Sequence, residues 1–444
     1  MITLDRFFTD PILRGPTIGC MLMGFACAFV GVLAFVRKRS LLGETLSHAS
    51  YPGVIVGILL SVFFQKEEGL SFFILIGGSL SAFLGFWLVD LLERKERITS
   101  DGSLCLVLVL FFGVGVLLAS IVQSSHPHLY RQIQSYLYGQ AATMGDSHIF
   151  FYAFFAAFVS LVVTIFYKEI LALSFNREYA QAAGILSPWL NFLLFFLIVL
   201  AVIIGIRSVG VILMSAMLIA PPLAARQFTD KLSTLFLLSG IFGMGSGFLG
   251  NYFSLLFSDL FSQTGAHLSF PTGPMIVVVS AFLAALSLLF APKKGLIICY
   301  CRMALFRIIT IQENLLKTSW HLSEKGKNSL SLDQIGENYA FSRITLRVFL
   351  AILQIKGWIC IKNKKYHLQP LGIKRGGRII RLHRLWELYL VNSLGVGVDC
   401  VHKSAEEMEH ILTPELEKQL TILLDNPKED PHAQPIPDSE GMVV

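Results

Sequence analysis

No Gly-x-x-x-x-Gly-Lys-Ser/Thr run occurs in this 444-residue chain. It therefore has no loop of backbone amides to cradle nucleotide phosphates, and any ATP chemistry must come from another polypeptide. Cysteine is sparse: seven are scattered at 20, 27, 105, 299, 301, 360 and 400, without the spacing of a disulfide framework. A cytosolic setting would keep the later ones reduced. Asp5, Asp10 and Arg14 precede the first apolar run, so no cleaved leader is expected. Charge is also scarce, at 15% of residues against ~25% in soluble domains. What fills the gap is apolar: 54% of residues are hydrophobic, 36 of them Phe. Mean hydropathy is +0.65.

The hydrophobicity is uneven. Crossing a bilayer as a helix takes ~20 apolar residues. Such stretches fall near 16–36, 46–65, 70–92, 104–123, 148–167, 187–206, 208–222, 232–257 and 273–291. The seventh is short and follows the sixth almost directly, so eight or nine spans are expected. Basic residues set their direction. Arg37, Lys38 and Arg39 follow the first span, Arg94, Lys95 and Arg97 the third, and Lys168 and Arg177 the fifth. Arg226 and Lys231 follow the seventh, Lys293 and Lys294 the ninth. The opposite loops offer little beyond Lys66 and Arg131. Positive charge stays inside, so the N-terminus is expected outside and the C-terminal part in the cytoplasm.

Two groups of residues carry metal-ligand chemistry. Glu44 and His48 stand i, i+4 at the start of the second span. An ionisable pair at membrane depth is costly and commonly faces a pathway. Carboxylate plus imidazole suits a borderline divalent cation. Spacing alone leaves open a helix-stabilising Glu–His hydrogen bond beside Pro52-Gly53. The second group lies near the C-terminus. His383 and Glu387 are i, i+4, and His402, Glu406, Glu409 and His410 follow at i, i+4, i+7 and i+8, so each set shares a helix face.

The soluble part is electrically split. Residues 302–384 hold 16 basic and 4 acidic residues, whereas 385–444 hold 3 basic and 12 acidic. That pattern reads as a nucleic-acid-binding unit joined to a cation-binding one. The basic half has the element order of a winged helix-turn-helix. Helices are expected over Gln312–Leu322 and Leu332–Tyr339. A third is capped by Ser342 and runs to Lys356, with Gly357 ending it. Strands follow at Trp358–Ile361 and Lys365–Leu368. Ser342, Arg343, Thr345 and Arg347 lie in the first turns of the third helix, and Lys362, Lys364 and Lys365 form the wing. That helix normally enters the major groove, and phosphate contact is the expected role of the wing. The apolar Val348, Phe349 and Leu350 leave open a protein-docking winged helix.

The segment Arg39-Ser-Leu-Leu-Gly-Glu-Thr-Leu-Ser-His-Ala-Ser-Tyr-Pro-Gly53 resembles a signature of metal-ion ABC transporter permeases of the manganese, zinc and iron group. Three further segments, 175–185, 209–225 and 271–279, resemble that family in order, covering most of 10–295. The resemblance implies a cation pathway through Glu44 and His48, with Glu where the family has Asp. It also implies that the amphipathic segment with Arg177, Glu178, Ala180 and Gly184 couples to a separate ATPase subunit. An extracytoplasmic metal-binding protein and a second permease subunit are implied as further partners.

Residues 310–440 resemble the diphtheria-toxin-repressor and manganese-repressor family. Arg381-Leu-His-Arg-Leu-Trp-Glu387 and Val401-His-Lys-Ser-Ala-Glu-Glu-Met-Glu-His410 carry the likeness. It implies one ligand set of His383, Glu387 and His402 and a second of Glu406, Glu409 and His410. Asn314 and Lys317 stand where the family places further ligands. The implied architecture is mostly α. A permease domain over 1–295 leads through a linker at 296–309 to a winged helix at 310–370 and a helical metal-binding and dimerisation domain at 371–444. The implied function is a metal importer permease of the bacterial cytoplasmic membrane, surrounded by lipid, with a repressor tail that grips operator DNA. Mn(II) or Fe(II) is favoured as substrate and co-repressor, with Zn(II) compatible. Two alternatives stand beside it: a tail that gates transport by metal feedback without touching DNA, and a membrane-bound sensor with a degenerate permease.

Overall fold

The computed structural model describes residues 5–438, apart from positions 40, 126, 140 and 176 and the stretches 65–69, 95–97, 185–186, 212–213, 264–269, 325–329, 337–341 and 363–364. The chain divides into two units, 1–299 and 300–444.

The first unit is helical. A single turn, α1 (Arg6–Thr9), precedes α2 (Pro11–Val36), α3 (Leu41–Phe63), α4 (Leu70–Arg94) and α5 (Ser100–Ser125). Then come α6 (Pro127–Tyr138), α7 (Asp146–Ile165) and two short helices, α8 (Tyr167–Phe175) and α9 (Arg177–Ala182). The unit closes with α10 (Ser187–Val209), α11 (Met214–Arg226), α12 (Leu232–Gln263) and α13 (Thr272–Phe290). Among the described residues, eight of these are long and apolar enough to cross a membrane. The apolar run near 208–222 is the exception. Its helix, α11, has 13 residues.

Lipid offers no hydrophobic drive between helices, so close packing of small residues must hold them. The structure does this with glycine. A Cβ on Gly53 of α3 would lie 2.1 Å from the Gly77 carbonyl of α4, and one on Gly77 would lie 2.3 Å from the Gly53 carbonyl. Gly24 of α2 and Gly243 of α12 face each other the same way, at 2.3 and 2.2 Å. Between α10 and α11 the helix breaks at Gly210, whose φ is +97°. The Val211 amide then donates to the Tyr136 carbonyl of α6 at 3.2 Å. Irregular backbone at membrane depth needs that kind of partner from the protein itself.

The second unit takes up α14 (Leu296–Glu324), one continuous helix that includes the 296–309 stretch. α15 (Leu332–Gly336) and α16 (Arg343–Ile355) follow. The Ser342 hydroxyl caps α16 by accepting from the Thr345 amide at 3.2 Å, and Gly357 ends it with φ +70°. Strands β1 (Ile359–Lys362) and β2 (Lys365–Leu368) pair antiparallel, Ile359 opposite Leu368. Leu315, Leu330, Ile335, Leu346, Leu350, Leu353 and Ile359 form the core of this winged helix. Leu346, Leu350 and Leu353 recur at helical spacing, which turns the arginines of α16 to the other side. A long helix, α17 (Pro370–Leu394), then leads to α18 (Val401–Met408) and α19 (Pro414–Leu423).

Candidate metal centres

In the first unit, Glu44 lies in the first turn of α3 and His48 one turn on. His48 is buried. Its ring stands edge-on to Phe112 of α5, with centroids 4.8 Å apart. Its Nδ1 is buried with no hydrogen-bond partner. Leaving such an atom unsatisfied is costly, which makes it a natural ligand atom in waiting. Beside the start of α3 lies a cavity of about 560 Å³, lined by Leu42, Arg39, Asp90, Glu93, Ser174 and Asn191 among others. Arg39 and Glu93 pair across its wall at 2.9 Å. In the segment expected to couple to an ATPase, Arg177 opens α9, Glu178 is exposed and Ala180 is buried. Gly184 lies just past the helix with φ +75°.

In the second unit, one of the two expected ligand sets comes together. His383 and Glu387 project from α17 one turn apart, and His402 reaches them from α18. His383 Nε2 lies 3.1 Å from His402 Nδ1 and 3.2 Å from Glu387 Oε1, and the last two atoms are 3.0 Å apart. Bonds of ~2.1 Å to one ion put neighbouring ligand atoms ~3.0 Å apart in an octahedron and ~3.4 Å in a tetrahedron. The three atoms already have that spacing, so the donor set fits a divalent metal. His402 is the open side, its side chain 67% exposed. Burial pushes the Glu387 carboxyl up, but hydrogen bonds from His383 and His402 outweigh it and hold it down at about 2.

The second expected set does not converge on itself. Glu406 is exposed on α18. Glu409 accepts from His383 Nδ1 at 2.5 Å and from Lys317 at 2.7 Å. Burial alone would raise the Glu409 carboxyl; these two partners hold it below its ordinary range. Burial likewise opposes the charged form of His383, yet Glu387 and Glu409 raise its pKa above the ordinary imidazole value. His410 turns to α14 instead, with Nδ1 2.8 Å from Glu313 Oε2 and Nε2 2.9 Å from Asn314 Oδ1. Arg375 of α17 holds the other Glu313 oxygen at 2.5 Å. Glu313 and Arg375 went unnoticed in the sequence, where nothing local ties either to His410. Behind the first set, the buried Arg384 donates to the Pro435 carbonyl and to Gln434 Oε1, clasping the segment 428–437. His432 of that segment lines the same pocket as His383, Glu387 and His402.

On the winged helix, Arg343 is exposed and paired with Asp333 at 3.1 Å, and Arg347 is exposed on the same helix. Thr345 is half-buried at the cap, and Lys362 and Lys365 flank the wing turn as register partners. Lys364 lies outside the described residues.

A family profile described as the ABC 3 transport family matches residues 9–291. The chain belongs to that family. A second profile, the metal-binding and dimerisation domain of iron-dependent repressors, matches residues 369–438. This ABC 3 permease therefore carries a metal-dependent repressor domain behind its membrane helices. A Chlamydia trachomatis protein described as a probable metal transport system membrane protein is 37% identical over 98% of both chains. The Bacillus subtilis manganese transport system membrane protein MntC is 30% identical, across 85% of this chain and 83% of its own. The Treponema pallidum zinc transport system membrane protein TroC is 33% identical, over 67% of this chain and 95% of its own. Among solved structures, PsaBC from Streptococcus pneumoniae, in complex with Fab, superposes with a TM-score of 0.54 at 25% identity. It covers 68% of this chain and 98% of that one.

Proposed function

We propose that this ABC 3 permease imports a divalent transition metal and that its tail senses the same ion and binds operator DNA. The observation that carries the reading is the His383–Glu387–His402 triad, spaced for one ion, behind a permease whose α3 carries Glu44 and His48. Oxygen and imidazole donors favour Mn(II) or Fe(II) and accept Zn(II); no thiolate stands among them. Relatives named for manganese and zinc transport agree with that range.

In the membrane, Glu44 and His48, in the first turns of α3, replace part of the cation's hydration shell. The cavity beside the start of α3, lined by Asp90 and Glu93, receives the ion next. A separate ATPase docks at α9, around Arg177, Glu178, Ala180 and Gly184, and supplies the ATP hydrolysis. An extracytoplasmic metal-binding protein delivers the ion, and two permease subunits form the pathway. The basic loops put the N-terminus outside the bacterial cytoplasmic membrane and the tail in the cytoplasm.

In the tail, the bound ion supplies a fixed double charge between α17 and α18. Glu409 accepts from His383 Nδ1, which leaves Nε2 to face Glu387 and His402. Arg343, Arg347, Lys362 and Lys365 meet phosphates, and a dimer sets the distance between two such surfaces. One observation favours the feedback-gate reading: Ile344, Val348 and Ile355 on α16 are 75, 54 and 86% exposed. Apolar side chains there suit a protein partner better than a base edge.

The test is paired. Cells carrying the permease with its ATPase are assayed for radioactive manganese uptake, and the purified full-length protein is assayed for operator retention with Mn(II) or chelator. Uptake together with Mn(II)-dependent retention supports both halves. Uptake with DNA binding indifferent to Mn(II) overturns the repressor half and favours the gate.

A further inference from the structure

Lys317 stands where a second cation would have to be. Its Nζ lies 2.7 and 3.0 Å from the two oxygens of Glu409 and 3.3 Å from His383 Nδ1. The lysine side chain is 13% exposed and the carboxylate is fully buried. A buried carboxylate is costly unless a cation accompanies it. A divalent ion would serve, and here α14 serves instead. An ammonium has three donors and no acceptor, so it neutralises Glu409 without ligating anything. The rest of the second set does not gather at Glu409. His410 is held at both ring nitrogens by Glu313 and Asn314, and Glu406 is exposed.

The geometry points to a one-ion tail: Lys317 is a tethered cation that takes the place of a second metal beside Glu409, leaving one divalent ion at His383, Glu387 and His402. This rests on the reading of that triad as the tail's metal centre. It also gives Lys317 a positioning role. By fixing Glu409 against His383 Nδ1 it keeps Nε2 aimed at the other two ligand atoms. A second ion at Glu409 would have to displace an ammonium that α14 holds tethered beside it.

The experiment counts bound Mn(II) per chain in the full-length protein, by dialysis to saturation and elemental analysis. Thermal melts confirm that each variant is folded. His402→Ala should lose one ion; if it loses none, the triad reading fails, whatever Lys317 does. Lys317→Glu should gain one ion over wild type, and Lys317→Gln should gain the same ion with weaker affinity. Wild-type counts in both folded variants overturn the proposal. Glu409→Gln offers a second test. In the wild-type background any ion it costs should be the triad's, so Glu409→Gln combined with His402→Ala should lose no more than His402→Ala alone, and in Lys317→Glu it should remove the added one. A double variant that loses one more ion than His402→Ala means that Glu409 already holds a metal, and the proposal falls.

Discussion

Replacing Lys365 by Ala should change the salt dependence of DNA binding by a predictable amount. Four exposed cations of the winged helix are assigned to phosphate, Arg343, Arg347, Lys362 and Lys365; Lys356, also exposed, is held by Gln312 and Trp358. Two copies in the proposed dimer offer eight. With ~0.9 counterions released per phosphate contact, the slope of log K against log salt is about −7. Between 50 and 200 mM salt, wild-type affinity should then fall by roughly four decades. Lys365→Ala removes one contact per chain, two per dimer, and the slope should become about −5.4, a fall of roughly three decades. Lys365 lies at the wing turn, away from the Leu346–Leu350–Leu353 core, so the fold should not change. The loss should be uniform across sequences, since a phosphate contact reads no base. Fluorescence anisotropy at fixed Mn(II), with operator and scrambled duplexes over a salt series, gives both slopes. A wild-type slope shallower than about −3, or one that Lys365→Ala leaves unmoved, refutes the assignment of this face to phosphate.

Other outcomes follow from the same structure. Glu44→Ala or His48→Ala should cut metal uptake steeply while the protein still co-purifies with its ATPase; full uptake in both removes them from the pathway. Glu178→Arg on the exposed side of α9 should reduce ATPase co-purification and uptake together, and normal values of both exclude α9 as the docking segment. In the metal-free tail Glu387 is held down at about 2 from an ordinary 4.5, so its stabilisation is complete above pH 4.5 and is lost as pH falls through about 2. It is worth up to ~3 kcal/mol. His383 has the opposite sign: its pKa is raised, so its contribution is full below 6.5 and fades as pH rises through the raised value. Urea melts under chelator should flatten on the acid side in Glu387→Gln and on the alkaline side in His383→Gln. A Glu387→Gln profile matching wild type between pH 4.5 and 2 would sink the linkage.

The spans were legible because twenty apolar residues in a row leave few other structures open. The winged helix was legible because its punctuation is local. Ser342 is a capping residue before an amphipathic run, and Gly357 takes the positive φ that ends it. The ligand residues were visible as i, i+4 patterns on α17 and α18. Their partition was not, because it is decided by α14. Lys317 meets Glu409 from 92 positions away, and Glu313 meets His410 from 97. Within IQENLLK nothing marks either residue as facing a distant imidazole or carboxylate. Arg384 is similar: its neighbour His383 drew notice, whereas its own partners Gln434 and Pro435 lie in a segment with no periodic signal. Long-range polar pairing has no sequence period, so spacing could find the ligands but not say which of them were already engaged.

The break at Gly210 carries a consequence for topology. Eight long helices are an even number, and an even number of crossings would return the chain to the side on which it began. Lys293 and Lys294 would then emerge on the same side as the N-terminus, with every residue of the tail. The basic loops agree on one assignment only if α11 also crosses. Its 13 residues reach ~20 Å as a helix, short of a ~30 Å hydrocarbon core. The four residues between Val209 and Met214 can add up to ~13 Å when extended, which closes the difference. A crossing completed by α11 and the residues before it would thus act as a parity switch. Seventeen residues wound wholly as helix, 210–226, would reach only ~26 Å. In the proposed importer, the parity of the crossings decides whether the tail meets the metal before import or after it.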